Sequence, residues 1–233
     1  MNIHFCTFGS NGFEKTLERI EKQAVESKYF THFHIYNHLN LASLEEHKAF
    51  VQKKRRGYGY WIWKPLVILD VMSKTSIGDI IFYCDAGCQV LTDNKRPQLF
   101  QKYVDDVLAH PSHRLGWSIN QKEESWTKQD LFEYLDMDHD EYKKSRQVCG
   151  GLQMIVYTAE NRQFMEEWLR IMTVDDYHYV DDTPSLSPNC EGFVEHRHDQ
   201  SVQSLLKKKW GFCDQLTGIP DTIPIHPSRR RDR

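Results

Sequence analysis

No stretch of the chain approaches the roughly 18 consecutive apolar residues that a membrane-spanning helix needs, and mean hydropathy is −0.65. No membrane span is expected. The opening Met1-Asn2-Ile3-His4-Phe5 has neither a basic n-region nor a long apolar h-region, so no secretory signal is expected and a cytoplasmic location is predicted. Charge of one sign is not in excess: 30 Lys and Arg stand against 33 Asp and Glu, for a net charge of −3. That balance excludes a globally basic nucleic-acid binder while leaving local patches open, and no nucleic-acid partner is expected. The six cysteines contain no Cys-x-x-Cys pair, and without an export signal they are expected to be reduced. Cys84 and Cys88 have no second pair nearby, which makes them a poor zinc site. A Gly-x-Ser-x-Gly elbow is missing, which argues against a serine hydrolase. Gly-x-x-x-x-Gly-Lys-Ser/Thr is missing too, which argues against a P-loop kinase or ATPase. No internal repeat and no Gly/Ser linker occurs, so residues 1–233 read as one domain, with 220–233 as a C-terminal tail.

What the chain does have is a globular composition: 233 residues, 39% hydrophobic and 27% charged, enough for one sizeable core. Ile3-His4-Phe5-Cys6-Thr7-Phe8 reads as a buried strand, and Phe13, Leu17, Ile20 and Ala24 follow at helical spacing. Phe33 to Tyr36 reads as a second strand. Ser43-Leu44-Glu45-Glu46 has the form of a capping box opening a helix to about Val51. Pro65 suits the first turn of the next helix. Ile80-Ile81-Phe82-Tyr83-Cys84 is the clearest strand, apolar throughout as a central, two-sided strand is. Leu99–Leu108 reads as helix, Leu115–Ile119 as strand, Thr127–Leu135 as a short capped helix and Leu152–Tyr157 as strand. An amphipathic helix with Phe164, Trp168, Ile171 and Met172 follows, then an acidic loop over 175–189 and a helix over 199–209. Alternating strands and helices predict an α/β fold with a largely parallel sheet flanked by helices. In such sheets ligands sit beyond the carboxyl ends of the strands, which points to Phe8-Gly9-Ser10 and to Asp85-Ala86-Gly87.

Four segments carry candidate chemistry. Asp85 ends a buried strand, a costly place for a charge unless something compensates it. A divalent cation would do so, and Gly87 would let a ligand approach; a plain Asp-Ala-Gly turn fits as well. Arg55 to Pro65 packs Tyr58, Tyr60, Trp61 and Trp63 beside Arg55, Arg56 and Lys64. These residues could stack a ring and hold phosphates, or the tryptophans could be core anchors and Lys64 a solvated helix start. Gly57-x-Gly59 lacks a preceding strand and the third glycine, which excludes a dinucleotide fingerprint. In Glu195-His196-Arg197-His198-Asp199-Gln200-Ser201, Asp199 is either a general base or the cap of the following helix, with Gln200 beside it to hydrogen-bond a hydroxylated ligand. Gly150-Gly151 marks a bulge, a tight turn or a close ligand approach. Asp181-Asp182 reads as a solvated loop pair. The tail's Arg229-Arg230-Arg231 is either an anion clamp or a frayed basic terminus.

In this order, Thr-Phe-Gly, Arg-Gly-Tyr-Gly-Tyr-Trp-x-Trp-Lys-Pro, Asp-Ala-Gly-Cys, Trp-Thr-Lys-x-Asp-Leu-Phe, Gln-x-x-Gly-Gly and His-Arg-x-Asp-Gln-Ser run from Thr7 to about Ser204. The chain in this respect resembles small GT-A-type glycosyltransferases and glycosyltransferase-like proteins of bacterial glycan clusters and large DNA viruses. The resemblance implies a GT-A-like fold, a nucleotide-sugar donor, and a glycan or other hydroxyl acceptor in polysaccharide biosynthesis. It implies a donor site at Thr7, Phe8, Tyr36, Arg56, Lys64, Asp85, Ala86 and Gly87, with Arg229 and Arg230 as further cations. It implies an acceptor side at Trp126, Gly150, Gly151, Gln153 and Gln200, with Asp199 as catalytic base. GT-A enzymes carry Asp-x-Asp for Mn²⁺ or Mg²⁺; here Tyr83 and Gly87 flank Asp85 instead, and His226 is the second metal ligand the resemblance suggests. A catalytically inactive sugar- or nucleotide-binding domain and a metal-dependent phosphohydrolase are the alternative readings.

Overall fold

The computed structural model describes residues 1–216 and 222–232; of the tail, Pro220, Asp221 and Arg233 lie outside the described residues. Among these residues the strands are β1 (Ile3–Phe8), β2 (His32–Tyr36), β3 (Ile80–Cys84), β4 (Gln89–Val90), β5 (Arg114–Gly116), β6 (Ser118–Lys122), β7 (Arg146–Val148), β8 (Leu152–Val156), β9 (Cys213–Asp214) and β10 (Ile225–His226). Six of them form one sheet in the order β2-β1-β3-β8-β5-β9. β1 runs parallel to both β2 and β3, and β5 parallel to β9, while β8 is antiparallel to β3 and to β5. The fold is α/β, with a mixed sheet flanked by helices.

The apolar run of β3 splits between the two faces as a period of two requires. Ile81 and Tyr83 join one core with Trp63, Leu66 and Val67 of the Trp63–Met72 helix and Phe164 and Trp168 of the Ala159–Tyr177 helix. Ile80, Phe82 and Cys84 join a second core with Ile20 of the Glu14–Ser27 helix and Phe100 and Val104 of the Arg96–Ala109 helix. The Trp63–Met72 helix is buried nearly all round, which accounts for its lack of a polar face.

The antiparallel β8 positions the site. Because it runs against β3, its amino end lies beside the carboxyl end of β3: Asp85 N–H donates to Gly151 O at 3.0 Å. The glycine pair before β8 therefore meets the aspartate after β3.

Three local expectations differ from the structure. Ser43 caps nothing: a 3₁₀ turn over Ala42–His47 starts from Leu41, and the α-helix begins only at Lys48. The strand expected over Leu115–Ile119 is two strands, broken at Trp117, because β6 leaves the main sheet to pair with β7. The helix at Gln129–Tyr134 has no side-chain cap of its own; loop residues serve it, with Gln129 N–H donating to Asn189 Oδ1 at 2.8 Å and Lys128 N–H to His196 Nδ1 at 3.2 Å.

At the far edge of the sheet His4 Nδ1 and His34 Nε2 share a hydrogen bond of 3.0 Å, with His4 Nε2 3.3 Å from Asp79 Oδ2 and the His32 ring stacked on His4. Burial, then the neighbouring His4, Lys74 and His32, push the His34 imidazole down to about 4, with Asp70 opposing. A histidine lowered in the folded state stabilises the fold above its ordinary value and loses that contribution as pH falls toward the lowered one. Thermal melts are therefore expected to drop between pH 6.5 and pH 4, and His34→Gln to flatten that drop; an unchanged slope in the variant would count against it.

Candidate active site

A cavity of about 770 Å³ opens at the carboxyl ends of β1 and β3. Phe8, Gly9 and Ser10 line it after β1, and Asp85, Ala86 and Gly87 after β3. On its floor the Lys64 side chain, only 3% exposed, meets two carboxylates, Asp199 Oδ2 at 2.7 Å and Asp85 Oδ1 at 3.2 Å. Lys64 Nζ also donates to Gly150 O at 3.1 Å. Burial alone would lower the Lys64 ammonium, but Asp199 and Asp85 outweigh it and the net direction is up, so the lysine stays charged. Tyr83 O–H donates to Asp85 Oδ1 at 2.6 Å.

The two carboxylates differ. Asp199 is nearly closed off, with 5% side-chain exposure, whereas Asp85 keeps 38%. Burial pushes the Asp199 carboxyl up to about 6 against the pull of Lys64. Asp199 is the first residue of the Asp199–Trp210 helix, after His198 in the N-cap place, and no side-chain cap bond forms there. The N-cap place itself belongs to His198, while the Asp199 carboxylate takes Lys64 and a backbone hydrogen bond from Gln200.

The wall from Arg55 to Trp63 is shaped by backbone. Gly57, Tyr58, Gly59, Tyr60 and Trp61 all have positive φ, a left-handed turn that costs each non-glycine residue. At Gly57 a Cβ would lie 2.4 Å from the Trp61 ring, and at Gly59 2.7 Å from Val51 Cγ2, so both glycines are required. The turn puts Tyr58 and Trp61 on the cavity, while Trp63 stacks on Phe8 at 4.2 Å and is a core anchor that also reaches the cavity wall. Arg56 is held by Asp182 at 3.4 Å and Glu195 at 3.1 Å. Asp182 also accepts from Tyr60 O–H at 2.7 Å. Asp181 is buried and paired with Lys54 at 3.0 Å, so of this pair, read as solvated in sequence, only Asp182 is exposed.

The basic tail is docked, not frayed. Arg230 N–H and Ser228 Oγ–H both donate to Gly87 O at 2.9 Å. Arg19 ties the tail down through Asp232 Oδ2 at 2.6 Å, while its other nitrogens donate to Cys88 O at 2.8 Å and Ala86 O at 2.9 Å. The Arg231 guanidinium lies 4.5 Å from the Phe13 ring centroid. Arg229, Arg230 and Arg231 thereby join Arg55, Arg56 and Arg197 around one cavity.

Of the residues named from sequence, Phe8, Arg56, Lys64, Asp85, Ala86, Gly87, Gly151, Asp199 and Gln200 line this cavity. Thr7 and Tyr36 do not: both are buried, and Tyr36 O–H donates to Asp70. Gln153 is buried within β8, hydrogen-bonded to Gln203 at 3.4 Å, and lines neither this cavity nor its smaller neighbour. Trp126 stands behind the wall, with the Arg197 guanidinium 3.9 Å over its ring. Gly150 acts through its backbone, accepting from Lys64 and donating N–H to Gln200 Oε1 at 3.1 Å. His226 is paired with Gln89 in the β4–β10 ribbon and lines neither this cavity nor its smaller neighbour. The expected metal pair, Asp85 with His226, does not fit a divalent cation. Asp85 Oδ1 is already engaged by Lys64 and Tyr83, and among the described residues no group of three or more His, Cys, Asp or Glu is placed to hold an ion. Sequence reading missed Arg19; the tail's run of arginines is visible in the sequence, but its anchor 213 positions away is not.

No protein-family model and no curated protein sequence matches the chain. In structure it is similar to a glycosyltransferase involved in the glycosylation of the major capsid of PBCV-1, at 10% identity and a TM-score of 0.45 over 93% of this chain and 82% of that one. It is similar to mouse xyloside xylosyltransferase 1 in its apo form, at 10% identity and a TM-score of 0.47 over 93% and 85%. It is also similar to the apo-form glycosyltransferase GlyE of Streptococcus pneumoniae TIGR4, at 10% identity and a TM-score of 0.42 over 92% of this chain and 45% of that one.

Removing the buried ammonium strands two carboxylates. Lys64→Met is expected to cost about 3 kcal/mol in urea unfolding, and adding Asp199→Asn to return part of that loss. A second substitution that adds its own full cost would show that the two side chains do not interact.

Proposed function

We propose that the chain transfers a glycosyl group from a nucleoside-diphosphate sugar to a hydroxyl acceptor. The observation that carries this reading is the charge of the cavity: six arginines line it at the strand ends, in a protein whose net charge is −3. Such a concentration of guanidinium groups suits a diphosphate, whose oxygens they bind in pairs. Tyr58 and Trp61 offer ring faces for the base or the sugar. The motifs from Thr7 to Ser204 support the same class.

In this reaction the acceptor oxygen bonds to the anomeric carbon. The bond from that carbon to the diphosphate breaks, and the diphosphate leaves with the electron pair. Arg229, Arg230 and Arg231 would stabilise the charge gathering on the leaving group. The acceptor's proton needs a base, and Asp199 is proposed for it. A carboxyl at about 6 is ionised at neutral pH yet basic enough to take a proton as the hydroxyl attacks. Lys64 would hold that carboxylate in place, and Asp85 would fix Lys64 from the other side. The donor set does not favour a metal-dependent phosphohydrolase, since no three-ligand cluster is formed among the described residues.

Calorimetry with UDP, GDP, CDP and dTDP, each with and without Mn²⁺, tests the reading. Selective binding of one nucleotide is expected, weakened at least tenfold in Arg230→Ala; no binding to any of the four would overturn it. With the donor so identified, kcat/KM is expected to fall as pH drops below about 6, following the ionised fraction of Asp199. Asp199→Asn should lower kcat by about 10²-fold with nucleotide binding retained. A loss of melting temperature without a specific rate effect would contradict the base assignment.

A further inference from the structure

A second cavity, of about 230 Å³, adjoins the first. The two share Asp85, Gly151, Gln200 and Arg229 among their walls. Missing side chains keep this seam open: a Cβ on Gly151 would lie 2.9 Å from Asp85 Oδ2, and one on Gly87 3.1 Å from the Arg229 backbone. Molecules seated on either side would meet there.

The charges of the two cavities differ. Everything charged in the smaller one, Asp85, Arg197 and Arg229, belongs to the shared wall. Its own walls are Cys88, Ile119, Gln121, Cys149 and Pro227, all uncharged. The cysteines add no anion, because burial pushes the Cys149 thiol up to about 11, and hydrogen bonding to Cys84 together with burial raises that of Cys88. Its charged side chains all stand on the seam, so the far end of the space offers an anionic group no cation. A pyranose ring suits it: the ring has an apolar face for Ile119 and Pro227, and a rim of hydroxyls for the Gln121 and Gln200 amides. The volume is enough for about one such ring.

From this we infer that the smaller cavity seats the terminal sugar of an uncharged glycan acceptor, with Ile119 and Gln121 setting acceptor choice. This inference rests on the transferase reading and adds where the acceptor lies. The acceptor hydroxyl reaches across the seam, past Gly151, to the carbon it attacks. Residues 119 and 121 sit on β6, which has left the main sheet, so they change without disturbing the diphosphate end.

Saturation-transfer NMR tests the inference in the presence of a saturating nucleoside diphosphate. The probes are p-nitrophenyl β-D-glucopyranoside, β-D-galactopyranoside and α-D-mannopyranoside. At least one is expected to bind the wild type. Ile119→Trp, which fills the cavity, should weaken that glycoside at least tenfold, and Gln121→Ala several-fold. Nucleoside diphosphate affinity should stay within twofold in both, which also shows that the variants are folded. Glycoside binding that is unchanged in both variants, or absent from the wild type, would overturn the inference and leave the transferase reading standing. Selective loss of nucleotide-sugar over nucleoside diphosphate in Ile119→Trp would assign the cavity to the donor's own sugar, and so overturn it too. Failure of the wild type to bind any nucleoside diphosphate would instead remove the reading on which it rests.

Discussion

One buried ammonium holds the site together. Lys64 comes from the first turn of a helix, Asp85 from the end of β3, Asp199 from the start of another helix and Gly150 from the turn into β8. A lysine this deep is stable as a cation only because two carboxylates and a carbonyl replace its water. Each carboxylate in turn tolerates its place because the lysine is there. The coupling explains why four segments far apart in sequence converge within about one hydrogen-bond length of a single nitrogen. It also bears on charge. The triad carries one net negative charge, and the arginines around the cavity exceed it, so the cavity is positive although the chain as a whole is slightly negative.

Backbone devices then shape the space over that floor. The reversal of β8 carries Gly150 and Gly151 to the strand end where Asp85 emerges. The left-handed turn from Gly57 to Trp61 lays rings along one wall at a conformational cost that the Tyr60 and Trp63 contacts offset. The tail closes the opposite wall, clipped by Arg19 to Asp232 and stitched to Gly87. These devices use the same short loop: Arg19 binds the carbonyls of Ala86 and Cys88, and the tail binds the carbonyl between them. The loop after β3 is thus held from outside while Asp85 is held from within.

Much of this was legible from sequence, for definite reasons. β3 declared itself because a central strand must be apolar on both faces. Asp85 followed, because a carboxylate that ends such a strand needs a partner. The partner itself was misread: Lys64 was available as a phosphate ligand or a solvated residue, and nothing local reveals that Asp199 lies across from it. Phe8 lines the cavity and Thr7 does not, a distinction that alternation along a strand permits but does not orient. Gln153 and Tyr36 were misplaced for the same reason. His226 was placed by resemblance and stands instead in a two-residue ribbon. The tail's docking rests on an ion pair 213 residues apart, and such pairs leave no periodic trace. Ile119 and Gln121 were hidden because the run from Leu115 to Ile119 reads as one strand, while the chain switches sheets at Trp117.

On the proposed function, the arginine-lined cavity receives a diphosphate. A crystal structure with the tightest-binding nucleoside-diphosphate sugar tests it most directly. The diphosphate is expected against Arg229–Arg231 at the carboxyl ends of β1 and β3, with Lys64 still bridging Asp85 and Asp199 beneath the sugar. A diphosphate bound elsewhere on the molecule, or a Lys64 that leaves both carboxylates when the ligand binds, would contradict it.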